Sequence, residues 1–292
     1  FDEFCKNHFK VSRAFESWEH MAKASRNEYD AVVVGSDQLW LPSNIMADYY
    51  TLNWVPQDVK KIAYATSFGI GSIPAKYEKI YSHYLKHINY LSARETSGQD
   101  IIKKLAGRDV QLVNDPALLL DADGWNEVIS NEPLIKEKYV FCYFMGNNPE
   151  QRDFVRRLAN EKGLKVVALL HLDQYIATDE YYVDMAPWHV SPADFVNLVK
   201  NAECVCTDSF HGTVFSIIYS RPFFTFKRFN KKASLSTNTR ITSLLTRLGL
   251  MDRLVLDMDC EQTFDIDWNK IQSGVSQFRK ASSEYLLNAI RA

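Results

Sequence analysis

The sequence predicts an α/β protein of two doubly wound lobes, on three observations. Short apolar, β-branched runs alternate with segments of helical spacing. The alternation is broken once, by an acidic, proline-containing stretch at residues 117–138, and then restarts. The runs end in loops rich in small and polar residues. Such alternation argues for parallel sheets covered on both faces, with ligands at the carboxyl ends of the strands. The 292 residues, 46% of them hydrophobic, suffice for two cores, each serving about 150 residues.

Residues 17–29 read as a helix, and Ala31-Val32-Val33-Val34-Gly35 as a buried strand feeding the loop Ser36-Asp37-Gln38-Leu39-Trp40. A second strand, residues 61–66, ends at Ser67-Phe68-Gly69, and residues 75–88 carry apolar side chains at helical spacing, including Tyr77, Ile80, Tyr81 and Tyr84. Residues 90–93 form the next expected strand, ending at Arg94-Glu95. Residues 99–105 read as a helix stopped by Gly107, and residues 110–113 as a strand ending at Asn114-Asp115-Pro116. The loops at Gly35, Ser67, Arg94 and Asp115 are therefore expected on one rim.

After the connection, strands are expected at 139–144, 164–170, 204–207 and 223–226, and helices at 150–160, 192–201 (capped by Ser191), 212–219 and 240–248. Pro222 ends the third of these helices, and a basic loop, 227–232, follows the last strand. The expected organisation is an N-terminal Rossmann-like lobe at 1–130, a C-terminal Rossmann-like lobe at 131–265 and a helical segment at 266–292. The chain does not begin with Met, and no strand or glycine-rich turn opens residues 1–10, so the first lobe is expected to lack its opening strand and loop.

Composition excludes several classes. A formal charge of −2, from 34 basic and 36 acidic residues, offers no electrostatic footprint for nucleic acid. Five scattered cysteines, two of them alternating with valines at Cys204 and Cys206, read as free thiols in a reducing cytoplasm, and no second Cys or His pair with metal-ligand spacing accompanies them. No metal is expected. No apolar run approaches the ~18–20 residues of a membrane span.

The segment Asp208-Ser209-Phe210-His211-Gly212-Thr213 places an imidazole where a strand turns into a helix. First-turn N–H groups favour an anion, and Gly212 is expected to let a ligand approach the backbone. A histidine beside an anion site suggests proton transfer, while a histidine hydrogen-bonded at a helix cap is the plainer reading. His171 and His189 have no motif around them and read as structural or surface residues.

Taken together, Gly35-Ser36-Asp37-Gln38-Leu39-Trp40, Ser67-Phe68-Gly69, Ser92-Ala93-Arg94-Glu95 with Ser97, Asn114-Asp115-Pro116-Ala117, Asp208-Ser209-Phe210-His211-Gly212 and Asn238-Thr239-Arg240-Ile241 resemble the polysaccharide pyruvyl transferase family, in order and over nearly the whole chain. The resemblance implies a GT-B-like enzyme with two lobes facing a cleft, the N-terminal one on the acceptor side and the C-terminal one on the donor side. It implies transfer of the enolpyruvyl carbons of phosphoenolpyruvate onto two hydroxyls of a sugar in a surface or capsular polysaccharide or its lipid-linked precursor. Phosphoenolpyruvate is then a co-substrate, and no cofactor is implied. The implied location is cytoplasmic, with peripheral contact at the inner face of the membrane left open. The number of subunits is left open too.

Within that frame, His211 is the expected acid/base, with Asp208 or Ser209 orienting it or capping the helix. The donor's two anionic groups need fixed cations and backbone donors. Arg94, Ser209, Gly212 and Thr213 are the first candidates. The family's commonest pattern has an arginine where this chain has Ser209, so another cation is expected to compensate: Arg240 first, with Lys227 and Arg228 behind it. Asp37 and Gln38 are expected to bond acceptor hydroxyls and Trp40 to stack on a sugar, with core packing as the other reading of Trp40. Asp115 is expected to fix a turn before Pro116. Two alternatives share the architecture: a nucleotide-sugar glycosyltransferase and a non-catalytic saccharide-binding subunit.

Overall fold

Ser17 opens the first long helix by accepting a hydrogen bond from the His20 N–H, and the apolar run that follows is the edge of a parallel sheet. The computed structural model describes residues 2–171, 175–228, 239–260 and 263–292. In chain order its first elements are α1 (Asp2–His8), α2 (Trp18–Glu28), β1 (Ala31–Val34), β2 (Lys60–Thr66), α3 (Glu78–His87), β3 (Tyr90–Ala93), α4 (Thr96–Ala106) and β4 (Gln111–Leu112). The four strands lie parallel in the order β1-β2-β3-β4. Residues 75–77, expected to be helical, form a tighter 3₁₀ turn before α3. Gly107 ends α4 with a left-handed φ of 70°, the conformation glycine adopts without steric cost.

The core of this first unit is aromatic. The Trp40 ring lies 5.2 Å from those of Phe68 and Tyr84, its indole N–H donates to the Tyr50 carbonyl, and the Tyr81 hydroxyl donates to the Trp40 carbonyl. Near its end β2 slips register between Ala63 and Thr66, where the buried Ala65 takes a φ of 55°. The irregularity turns the strand end so that Ser67 reaches the end of β3.

The second sheet is built from β5 (Tyr139–Tyr143), β6 (Lys165–Ala168), β7 (Cys204–Thr207), β8 (Phe223–Phe226) and β9 (Leu254–Val255). The remaining helices are α5 (Ala122–Asn126), α6 (Pro149–Lys162), α7 (Asp179–Tyr182), α8 (Pro192–Asn201), α9 (Phe210–Ile218), α10 (Thr239–Leu248) and α11 (Trp268–Arg291). All pairings are parallel, in the order β6-β5-β7-β8-β9. The chain thus crosses from one side of β5 to the other, and in open α/β sheets the crevice at such a reversal, beyond the carboxyl ends of β5 and β7, is where ligands bind. The expected α/β class with two parallel sheets is what the structure shows. Cys142, Cys204 and Cys206 are buried free thiols within this sheet.

The chain divides into two compact units, Val11–Leu119 with Ala233–Leu244 and Gly274–Ala292, and Phe1–Lys10 with Leu120–Lys232 and Leu245–Ser273. Three segments are thereby allotted differently from their sequence neighbours, the first being residues 2–10 with α1, which were expected in the N-terminal lobe and fall in the second unit. The last part of α11 belongs to the first unit, because Tyr285 and Leu286 pack on Tyr64, Ala65 and Val113, and the Ser282 hydroxyl accepts from the Asn114 N–H. The first turn of α10, with Arg240, joins the same unit.

Candidate active site

In the first unit the ends of β1, β3 and β4 converge on Arg94. This side chain, 2% exposed at the end of β3, donates to the Asp115 carboxylate at 2.5 Å and to the Ser36 hydroxyl at 3.0 Å, and Ser36 in turn donates to Asp115 at 2.9 Å. Its other guanidinium nitrogens lie 3.5 Å from Asp37 Oδ1 and 3.9 Å from Glu95 Oε2. From the start of α10, Arg240 reaches the same Asp37 oxygen at 3.2 Å. Asp37 is exposed and held at a φ of 82°, a conformation costly for a non-glycine residue and concentrated at functional sites.

Glu95 lies beneath this pair, wholly buried. Its Oε1 accepts from the Ser67 hydroxyl at 2.7 Å and from the Phe68 N–H at 3.2 Å, while Oε2 has no hydrogen-bond partner among the described residues. Burial pushes this carboxyl above its ordinary range, against the opposing pull of Arg94, Ser67, Arg240 and the Phe68 N–H.

In the second unit the rim of β5 and β7 is clasped by Asp208. Its buried carboxylate accepts from the Met145 N–H at 2.7 Å and the Gly146 N–H at 2.8 Å, tying the loop after β5 to the end of β7 at the strand-order reversal. Arg228 stands beside it, with Nε 3.8 Å from Asp208 Oδ2 and a second nitrogen 3.4 Å from the Asp208 carbonyl. His211, half-buried in the first turn of α9, packs edge-on to Phe210.

A family model described as polysaccharide pyruvyl transferase matches residues 1–228. The chain belongs to that family. Membership makes this pyruvyl transferase a protein of polysaccharide biosynthesis and implies a saccharide acceptor. No curated protein sequence matches the chain. Among solved structures it is similar to S. aureus MnaA in a co-structure with UDP, at 14% identity and a TM-score of 0.51, over 100% of this chain and 88% of that one. It is also similar to a putative UDP-N-acetylglucosamine 2-epimerase from Listeria monocytogenes, at 11% identity and a TM-score of 0.49 over 94% and 83% of the two chains. A third, the UDP-GlcNAc 2-epimerase from Neisseria meningitidis bound to UDP-GlcNAc, has 12% identity and a TM-score of 0.47 over 96% and 84%. At such identities the likeness concerns fold alone. Among the described residues no helix is long and apolar enough to cross a membrane, and no group of three or more His, Cys, Asp or Glu could hold a metal.

The geometry corrects several expectations for this pyruvyl transferase. Trp40 is fully buried and cannot stack on a sugar; its indole fills the first core instead. Gln38 turns its amide nitrogen into a buried position beneath Gly69, so of the two residues expected to bond acceptor hydroxyls only Asp37 is exposed. Helix α9 begins at Phe210, two residues before the sequence suggests, with Ser209 as its N-cap. The Gly212 N–H therefore goes to the Ser209 hydroxyl and the Thr213 N–H to the Ser209 carbonyl, and neither donor is left for an anion. Nor does Gly212 open the backbone to a ligand: a Cβ there would meet Thr207 Oγ1 at 2.6 Å, so the missing side chain lets α9 press on the end of β7. Arg240 stands with Asp37 and Arg94 in the first unit, and among the described residues the cation paired with Asp208 is Arg228. Asp115 does more than fix a turn, since it carries the buried ion pair with Arg94.

Residues 229–232 of the basic loop and Asn238 lie outside the described residues. Sequence reasoning missed Glu95 as a buried carboxyl, although its place beside Arg94 at a strand end was the signal. It also missed a buried Arg152–Asp179–His171 chain, whose one visible mark is an arginine on the apolar stripe of α6 with Val155 and Ala159.

Proposed function

We propose that this pyruvyl transferase moves the enolpyruvyl carbons of phosphoenolpyruvate onto two hydroxyls of its saccharide acceptor, closing a cyclic ketal and releasing phosphate. The observation that carries this reading is the convergence of Arg94 and Arg240 on one exposed carboxylate oxygen of Asp37. Two guanidinium groups around one oxyanion are what a small donor with a carboxylate and a phosphate requires. In this reading Asp37 fills the place that a donor anion takes.

The chemistry balances with one proton relay. A general acid delivers a proton to the methylene carbon of the donor, and the first sugar hydroxyl attacks the adjacent carbon and gives up its own proton to the same group in its basic form. The second hydroxyl then attacks that carbon, the bond to the phosphate oxygen breaks, and the second hydroxyl proton leaves with inorganic phosphate. His211 is assigned the relay, because an imidazole, whose ordinary pKa is about 6.5, exists in both forms near neutral pH. Arg94 and Arg240 neutralise the donor and stabilise the departing phosphate. Asp208 supports the loop after β5 and acts on structure, not on the relay.

The test is phosphate release by the purified chain supplied with phosphoenolpyruvate and glucose-, galactose- or mannose-terminated oligosaccharides, with the ketal methyl group detected in the product by NMR. Release that depends on both substrates is expected. Thermal stabilisation by UDP and none by phosphoenolpyruvate, with no turnover, would replace this reading by the glycosyltransferase one.

A further inference from the structure

The second unit carries a cavity of about 1130 Å³ over the ends of β5 and β6, lined in part by Tyr143, Met145, His171, Trp188 and His189. Three features bear on what it binds. First, His171, three residues beyond β6 and with its side chain 10% exposed, has its Nδ1 3.4 Å from Asp179, while its Nε2 is buried with no hydrogen-bond partner among the described residues. Asp179 is itself fixed by the buried Arg152, whose Nε lies 2.6 Å away. Arg152 is pinned in turn by the Gly146 and Asn148 carbonyls and by the faces of Phe144 and Tyr182. A buried chain of this kind fixes the imidazole tautomer: Nδ1–H donates to the carboxylate, and Nε2 keeps a lone pair toward a donor. An unmade hydrogen bond at a buried nitrogen costs stability, which is recovered when a ligand supplies the donor.

Second, Trp188 is 71% exposed on the wall of the same cavity. It stands in a segment anchored to β6 by the Met185–Val167 bridge, next to His189 at a φ of 58°. A large aromatic ring left in water beside a cavity is a recognition surface, and the apolar C–H face of a sugar ring matches it. Third, among the described residues no Lys or Arg lines the cavity, whereas Glu3 and Asp194 do. The N-terminus of α8, on the same wall, spends its Asp194 N–H on the Ser191 hydroxyl and turns the Asp194 carboxylate back on the Ser191 N–H. Such a lining repels a diphosphate and suits a neutral ligand rich in hydroxyls.

We propose that this cavity is a saccharide-binding site, in which Trp188 stacks on a neutral sugar ring and His171 Nε2 accepts a hydrogen bond from one of its hydroxyls. Saccharide recognition is thereby assigned to residues of the second unit and not to the Asp37–Trp40 loop that the sequence suggested. The assignment does not depend on phosphoenolpyruvate being the donor.

Saturation-transfer NMR on the full chain tests it, with methyl β-glucoside, methyl β-galactoside and methyl α-mannoside as neutral probes and UDP as the anionic competitor. At least one glycoside receives saturation through its C–H protons and is not displaced by UDP. Its affinity falls on the order of tenfold in Trp188→Ala and in His171→Ala, the size of one lost ring contact or hydrogen bond. The exposed Trp188 can be removed without disturbing the core, and circular dichroism checks that both variants fold. Silence from all three glycosides, unchanged transfer in either variant, or displacement by UDP overturns the proposal. No arm uses phosphoenolpyruvate, so failure here and failure of the donor reading are separate results.

Discussion

Arg240 Nη1 lies 3.2 Å from Asp37 Oδ1, across 203 residues of chain, and Arg94 approaches the same oxygen at 3.5 Å. Two arginines thus share one exposed carboxylate. If that carboxylate stands in for a substrate anion, substitutions on the two sides of the contact act with opposite sign. Arg240→Ala removes a charge-assisted hydrogen bond worth about 1.5–3 kcal/mol, so the KM for phosphoenolpyruvate rises roughly 10- to 100-fold. Asp37→Asn removes the competing charge and lowers that KM. Steady-state kinetics on both variants check the pair of signs, and a rise in KM in Asp37→Asn contradicts the stand-in role.

His211→Ala slows acceptor-dependent phosphate release by at least ~100-fold, the usual weight of a positioned proton-transfer group, with an unchanged circular dichroism spectrum. His211 is half-buried at the start of α9, where substitution leaves the Ser209 cap in place. A rate within a few-fold of the parent removes His211 from the reaction.

Glu95 predicts a pH dependence of stability. Burial raises its pKa in the folded chain above that of the unfolded chain, near 4.3, so the folded state binds the proton more tightly. The stabilisation from this group is complete below that unfolded value and is lost as pH rises through the folded one. Glu95→Gln cannot titrate and lacks this decline. Urea unfolding of parent and variant across the acidic to neutral range should give curves that separate as pH rises, in favour of the variant; parallel curves would remove the assignment.

Asp115→Ala leaves the Arg94 guanidinium buried without its closest counter-charge. Breaking one side of a buried ion pair costs about 3–5 kcal/mol, which urea unfolding reads directly. The Ser36 hydroxyl loses its acceptor in the same change, so the loss falls on two strand ends together.

Gly212→Ala brings a methyl group against Thr207 Oγ1, an atom that cannot swing away easily because it donates to the Tyr143 carbonyl and accepts from the Ser209 N–H. Overpacking of this kind costs about 1–3 kcal/mol, against a gain of about 1 kcal/mol from replacing glycine inside a helix. A lower urea midpoint is expected, and a higher one would mean that α9 has room to shift.

Much of the fold was legible because the signals are local. Short apolar, β-branched runs, the Ser191 cap and the stop at Gly107 are each decided within a few residues, so strand and helix positions agreed with the structure to within a few residues at most ends. The strand-end placement of Ser36, Ser67, Arg94 and Asp115 followed from alternation alone, since parallel strands joined by helices put all their carboxyl ends on one rim. The start of α9 was misplaced because Phe210 and His211 carry no helical signal of their own; the Ser209 cap fixes it, and a serine before an aromatic residue is locally ambiguous.

By itself the sequence determined the α/β class, the two sheets, the rim loops and the family motifs, because each depends on neighbours along the chain. Only the tertiary structure decided that Trp40 is core, that Arg240 stands at Asp37 and Arg228 at Asp208, and that His171 is backed by Asp179 and Arg152. Those outcomes turn on which distant segments share a low-dielectric interior. There a charge or an imidazole takes its role from partners that local spacing does not specify.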